Sequence, residues 1–193
     1  HLSIRRQRQM CIRDRFYYDV PEDLKFSLLV HLLNHEKAGL VMVFCNTRKT
    51  TDFVANNLQA AGIDALAIHG GLTQEKRNRV MEHFHSRNVC ILVCTDVAAR
   101  GLDIPDVSHI YNYDIPKYSK DYIHRIGRTA HGPGKEGIAI NILSSRDYDS
   151  FRRVMRHNEV TITEERMPEV KKVRMGWKER PKTFRPGHRP YRS

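Results

Sequence analysis

Residues 122–137 read YIHRIGRTAHGPGKEG, and His124, Arg125, Arg128 and His131 all fall within the first ten of these positions. A guanidinium fork matches the oxygens of a phosphate, and an imidazole carries or releases a proton near neutral pH. The spacing from Tyr122 to Arg128 predicts a helix. If that helix continues, His124, Arg128 and His131 share one stripe until Gly132-Pro133-Gly134 ends it. Such a face suits recognition of a phosphorylated ligand. Exposed Arg pairs are ordinarily inert, so the chemistry depends on what other segments bring to the same place.

Three further segments carry polar groups directly after an apolar run. CNTRKTTDF places Asn46, Thr47 and Arg48 where a strand opens into a helix, and free amides at a helix N-terminus attract phosphate. IHGGLTQEKR supplies Gly70-Gly71, which permits close approach of another backbone. Gln74 and Arg77 follow, three apart on one helix face, where they can act on one ligand. TDVAARGLDIP ends a strand with Thr95 and Asp96, turns at Arg100-Gly101 and reaches Asp103. A carboxylate so placed can accept a hydrogen bond from a sugar hydroxyl.

The elements that must hold these groups are legible as periodicity. LVMVFC (40–45), ALAI (65–68), VCILVC (89–94), VSHIYNY (107–113) and GIAINIL (137–143) read as strands, several apolar on both faces. Amphipathic stretches lie between them. Leu24, Leu28, Leu29, Leu32 and Leu33 stripe 22–34; Phe53, Val54, Leu58 and Ala61 stripe 47–60; Val80, Met81 and Phe84 stripe 73–85. Thr47, Thr73 and Ser145 are the expected helix caps. This alternation predicts an α/β fold, a doubly wound parallel sheet with helices on both faces and working groups at the carboxyl ends of the strands. The domain is expected over 16–166. Residues 1–15 read as appended sequence or a linker from an upstream domain, and 167–193 as a flexible basic tail.

Composition sets the class. With 193 residues and 40% hydrophobic content, the chain suits one well-buried domain. No apolar run approaches the roughly 20 residues of a membrane span, and no secretory signal is visible, so a cytoplasmic location without membrane contact is expected. Cys11, Cys45, Cys90 and Cys94 form no CxxC pair, so small buried apolar residues are expected rather than a disulfide framework or a metal site. Cys90 and Cys94 are expected on one face of a strand. Net charge is +11, but residues 16–170 hold 19 basic and 20 acidic residues, so the excess sits at the two ends. Basic ends point to a polyanion partner. In the C-terminal tail Trp177, Phe184 and Tyr191 are interleaved with Lys178, Arg180, Lys182 and Arg185, which suits stacking on bases and neutralising phosphates.

Taken in order, the four segments resemble the second RecA-like lobe of a DEAD-box RNA helicase. VFCNTRK resembles motif IV, IHGGLTQEKR the QxxR element, TDVAARGLDIP motif V and HRIGRTAH motif VI. The likeness covers roughly 16–145, including YNYDIP between the last two. It implies that Asn46, Thr47, Arg48, Gly70, Gly71, Gln74, Arg77 and Thr95 hold the RNA sugar-phosphate backbone. It implies that Asp103 holds the ATP ribose, with Gly101 beside the nucleotide. Arg128 reaches the γ-phosphate, Arg125 positions Asp103 and the lobe interface, and His124 couples to the first lobe. The family's Gly-Lys-Thr phosphate loop and Asp-Glu-Ala-Asp box do not occur here. Mg²⁺ would therefore be held by the missing N-terminal RecA-like lobe, and this piece alone is expected not to hydrolyse ATP. The family's motif VI ends on an Arg where this chain has His131. Arginine fingers are worth on the order of 10³–10⁵ in rate, so slow hydrolysis, partly restored by His131→Arg, is expected. The resemblance implies non-processive RNA unwinding. A stand-alone RNA-binding or adaptor module without catalysis is the alternative, and a DNA-directed translocase of the wider superfamily is a second.

Overall fold

The apolar runs become strands of one sheet in a computed structural model that describes residues 12–102, 104, 107–129, 137–158 and 160–176. Strands β1 (Ile12–Asp19), β2 (Leu40–Phe44), β3 (Ala65–Ile68), β4 (Ile91–Cys94), β5 (Val107–Asn112), β6 (Gly137–Leu143) and β7 (Thr163–Glu164) pair in the order β3-β4-β2-β5-β6-β1-β7, all parallel. The period of two is read out directly in the core. Leu40, Met42 and Phe44 of β2 enter one hydrophobic cluster, and Val41 and Val43 enter the other.

Helices cover both faces. On one, α3 (Gln74–His85), α5 (Ser119–Ile126) and α6 (Tyr148–Asn158) contribute Phe84, Tyr122, Ile126, Phe151 and Val154. On the other, α1 (Lys25–His35) and α2 (Arg48–Ala60) contribute Phe26, Leu28, Leu29, Val54 and Leu58. Each such fully buried side chain adds about 1.5–3 kcal/mol. A short helix, α4 (Asp96–Ala99), follows β4. Thr47 and Thr73 cap α2 and α3 as expected, their hydroxyls accepting the N–H of Thr50 and of Lys76. The third cap is Ser144 rather than Ser145: it opens a 3₁₀ turn that leads into α6, with Asp147 closing a reciprocal capping box. Asp147 also receives the fully buried Lys25 ammonium at 2.5 Å, which ties the start of α1 to that turn.

Several expectations change. Residues 12–15, set apart from the fold on sequence, begin β1, which pairs with β6 along most of its length. IRDRFYYD lacks an alternating apolar pattern because its aromatic residues, Phe16, Tyr17 and Tyr18, are only partly buried near the edge of the sheet. Residues 1–11 lie outside the described residues. The first part of the expected tail is packed: Met167, Val170 and Val173 lie against the α1–α2 face, and the Val173 N–H donates to Ser27 Oγ at 3.0 Å. Asn57 on α2 exchanges hydrogen bonds with the backbone of Gly176, at 2.9 and 3.2 Å. Residues 177–193 lie outside the described residues. Cys90 precedes β4 and is exposed, whereas Cys45 and Cys94 are buried, and burial pushes both of their thiols up, away from reactive thiolate. No helix among the described residues is long and apolar enough to cross a membrane.

Candidate functional site

The strand order fixes where ligand-binding groups can gather. After β2 the chain builds β3 and β4 on one side and then crosses to build β5 on the other. The carboxyl ends of β4, β2 and β5 therefore frame the point where the winding reverses, and crevices form there in open α/β sheets. Arg125, from the last turn of α5, occupies this point. It is 1% exposed and stacks its guanidinium 5.1 Å from the centre of the Phe44 ring.

All five of its N–H donors are engaged. Nε and Nη2 form a fork on the Asp96 carboxylate, at 2.6 and 2.8 Å. Nη2 also donates to Asn46 Oδ1 at 2.9 Å; Nη1 donates to Asn112 Oδ1 at 3.1 Å and to the Asp114 carbonyl at 2.5 Å. One side chain thus joins the ends of β2, β4 and β5, and a buried guanidinium with every donor satisfied is strongly held. Asn46 is drawn into the same network. Its Nδ2 donates to the Ile115 carbonyl at 2.8 Å and its backbone N–H to Asp114 Oδ2 at 2.9 Å. The Asn46 side chain, expected at RNA, is occupied within the lobe. Among the described residues Arg125 holds Asp96; Asp103, beside which it is expected, lies outside them.

Arg128 differs. The helix containing Arg125 ends at Ile126 with Gly127 as its cap, earlier than the Gly132-Pro133-Gly134 stop read from sequence. Turn hydrogen bonds from the Arg128 and Thr129 N–H groups to the Arg125 and Ile126 carbonyls close it. Arg128 therefore leaves the helix axis. It is partly exposed and donates Nη1 to the Leu102 carbonyl at 2.9 Å. With Arg125, Arg100, His124, Asp96, Phe44 and Ala99 it lines a recess of about 10 Å³, room for roughly one water. His124 is 60% exposed, 3.9 Å from Asp121, which accepts from Arg100 at 2.5 Å. Gly101, at φ +78°, reverses the chain after α4 as only glycine does readily. His131 lies outside the described residues.

The second group lies along the ends of β3, β4 and β2, which are neighbours. Thr47 and Arg48 open α2, and the Arg48 guanidinium reaches the glycine turn: a Cβ on Gly70 would sit 3.2 Å from its Nη2. Thr95 is 8% exposed, and its hydroxyl makes no cap bond within α4. Gln74 and Arg77 do not converge. The Gln74 amide donates to Asn78 Oδ1, while Arg77 Nη2 reaches back to the Ala98 carbonyl of α4, both at 2.8 Å. Sequence reasoning missed Asp96, Asn112 and Asp114 as the holders of Arg125. The signal for the last two was YNYDIP, polar residues closing an otherwise buried strand.

A cationic edge with an open recess suits recognition of an anionic group, and the recess itself holds no more than about one water. Among the described residues no three His, Cys, Asp or Glu side chains are grouped to hold a metal ion.

Residues 24–132, more than half of the chain, match the family described as helicase conserved C-terminal domain. The chain is 44% identical over 138 residues to the ATP-dependent RNA helicase DDX47 of Drosophila melanogaster, covering 72% of this chain and 27% of that helicase. It thus spans little more than a quarter of the curated relatives it matches. Its structure is similar to the E. coli DEAD-box protein SrmB bound to regulator of ribonuclease activity A, with TM-score 0.75 and 37% identity over 86% of this chain and 98% of that one. It is also similar to S. cerevisiae Dbp5 bound to RNA and ADP BeF3, with TM-score 0.75 and 29% identity over 82% of this chain and 42% of that one. The chain belongs to the helicase conserved C-terminal domain family, as the second RecA-like lobe of a DEAD-box protein.

Proposed function

We propose that this lobe works with an N-terminal RecA-like lobe as an ATP-dependent RNA helicase, gripping RNA along the β3-β4-β2 edge and completing the ATP site at the α5 edge. One observation carries the reading. Both arginines line the recess, but Arg125 is buried with every donor engaged inside the lobe, whereas Arg128, three residues on, is partly exposed beside His124 and among the described residues bonds only the Leu102 carbonyl. The first Arg is a rigid brace for the edge, and the second is presented outward. The relatives named above, an ATP-dependent RNA helicase and a DEAD-box protein with RNA and a nucleotide, support the same assignment.

ATP held between the lobes would supply the γ-phosphate whose transfer to water drives the cycle, with Mg²⁺ held by the facing lobe. Arg128 would offer its guanidinium to that phosphate, Asp103 a carboxylate to the ribose and Gly101 a close backbone approach. His124 would meet the facing lobe, and His131 would stand where the family's motif VI carries its last Arg. Thr47, Arg48, Gly70, Gly71 and Thr95 would meet RNA phosphates and sugars. Arg77, pinned to α4, would relay that contact to the segment carrying Asp103. Contacts to phosphate and sugar read little base sequence. The tail 177–193 would add salt-sensitive affinity. Cytoplasmic location accords with this role.

The test is RNA-stimulated ATP hydrolysis by this chain joined to a DEAD-box first lobe. The expected result is stimulated turnover that falls on the order of 10³-fold in Arg128→Ala. RNA binding without turnover, unaffected by that substitution, would make the chain an RNA-binding module instead.

A further inference from the structure

His69 is the first residue after β3, only 7% exposed, and both of its ring nitrogens are engaged. Nδ1 accepts the Gly71 N–H at 3.1 Å, and Nε2 lies 2.8 Å from Asp52 Oδ1 on α2. An N–H aimed at Nδ1 needs a lone pair there. The ring proton is therefore on Nε2, where it donates to Asp52. The carbonyl of the same residue accepts the Leu72 N–H at 3.1 Å. His69 thus closes its own four-residue turn twice, once through the backbone and once through the ring.

This bracing decides what the turn presents. The Gly71 N–H faces the ring, and the Gly70 N–H has no partner among the described residues. A Cβ on Gly71 would meet His69 Nδ1 and Cε1, both at 3.1 Å, so ring and turn are packed without slack. Arg48 closes the other side, against Gly70. Few side chains could do this. Asparagine can accept an N–H two residues on, as in an Asx turn, but is too short to reach Asp52 as well. Arginine and lysine have no acceptor. Imidazole carries an acceptor near its attachment and a donor on its far side, at a fixed distance.

Resting on the RNA reading above, we propose that His69 is a positioning residue for RNA: braced by Asp52, it holds the Gly70-Gly71 turn against Arg48 in the conformation that receives a backbone phosphate. It does not touch the RNA itself. Two substitutions separate its halves. His69→Asn keeps an acceptor at the position of Nδ1 for Gly71 and gives up Asp52, and His69→Gln keeps a donor at the position of Nε2 for Asp52 and moves its acceptor away from the Nδ1 position.

The experiment measures affinity of the full chain for a single-stranded oligoribonucleotide by fluorescence anisotropy, with a thermal melt and Gly71 amide hydrogen exchange on each variant. We expect His69→Gln and His69→Ala to weaken binding about threefold to tenfold, the effect of one lost hydrogen bond, with faster Gly71 exchange. His69→Asn should stay within about twofold of the parent even if it melts as low as the others. Affinity that follows melting temperature across all three, or wild-type affinity in His69→Gln, overturns the positioning role alone. A parent chain that binds no RNA overturns the RNA reading and the inference together.

Discussion

At the scale of single residues, two arginines three positions apart are held differently. Arg125 bonds the carboxylate of Asp96, two amide side chains and a backbone carbonyl. Removing it leaves a carboxylate without its partner and a cavity at the junction of three strands. Arg125→Ala should therefore cost about 3–5 kcal/mol, read as a lower urea midpoint, against a typical total of about 5–15 kcal/mol. A loss below about 1 kcal/mol would mean that the strand ends are held by other contacts. HRIGR is legible in the sequence as a cationic cluster, and the family resemblance gives its two arginines separate roles, but the spacing does not say what holds either one. What holds Arg125 appears only once Asp96 and Asn112 are seen to meet it, from positions 29 and 13 residues away in the chain.

At the scale of elements, the position of Arg128 depends on how α5 hands over to β6. Thr129 makes a parallel bridge to Val107 and donates its hydroxyl to the Val107 carbonyl. Gly137, the first residue of β6, presses on it. A Cβ there would overlap the Thr129 hydroxyl and lie 2.5 and 2.8 Å from its Cγ2 and Cβ. Gly137→Ala should destabilise by about 1–3 kcal/mol, seen in a thermal melt. Gly39→Ala is the comparison, because its nearest neighbour would be Ser108 Oγ at 3.4 Å. Equal melts for the two variants would remove the argument. The strands β2 to β6 and the stripes of α1, α2 and α3 were legible because apolar runs mark the strands, buried on both faces, and a helical period marks the stripes. Strand β1 was not, since its register with β6 is set by pairing along the sheet and not by an apolar pattern.

For the whole molecule, the sheet buries tyrosines from both faces, and this sets an alkaline limit. Burial pushes Tyr122 up to about 12, offset in part by the hydrogen bond from Asn141 and by Arg15; burial also raises Tyr111 and Tyr113. A folded value above the unfolded value of about 10 means that the unfolded chain ionises first. The stabilisation is complete below pH 10 and is lost as pH rises toward 12. For Tyr122 it is on the order of 2–3 kcal/mol. Denaturant midpoints measured at increasing pH should fall across that window, with tyrosinate absorbance from the buried rings appearing together with unfolding. All eight tyrosines titrating near pH 10 in a chain that stays folded would contradict it.

The sequence by itself determined the α/β class, the strand-helix alternation and the four polar segments that follow strands. Those properties are local: apolar period, cap residues and glycine turns act over a few positions. Tertiary structure decided which polar groups face one another across the lobe. Asn46 turned inward to Arg125, Gly71 turned toward His69, and Arg77 reached α4 instead of joining Gln74. A side chain's partners depend on crossovers that bring distant strand ends together, and parallel pairing leaves no trace of them in the spacing of any one segment.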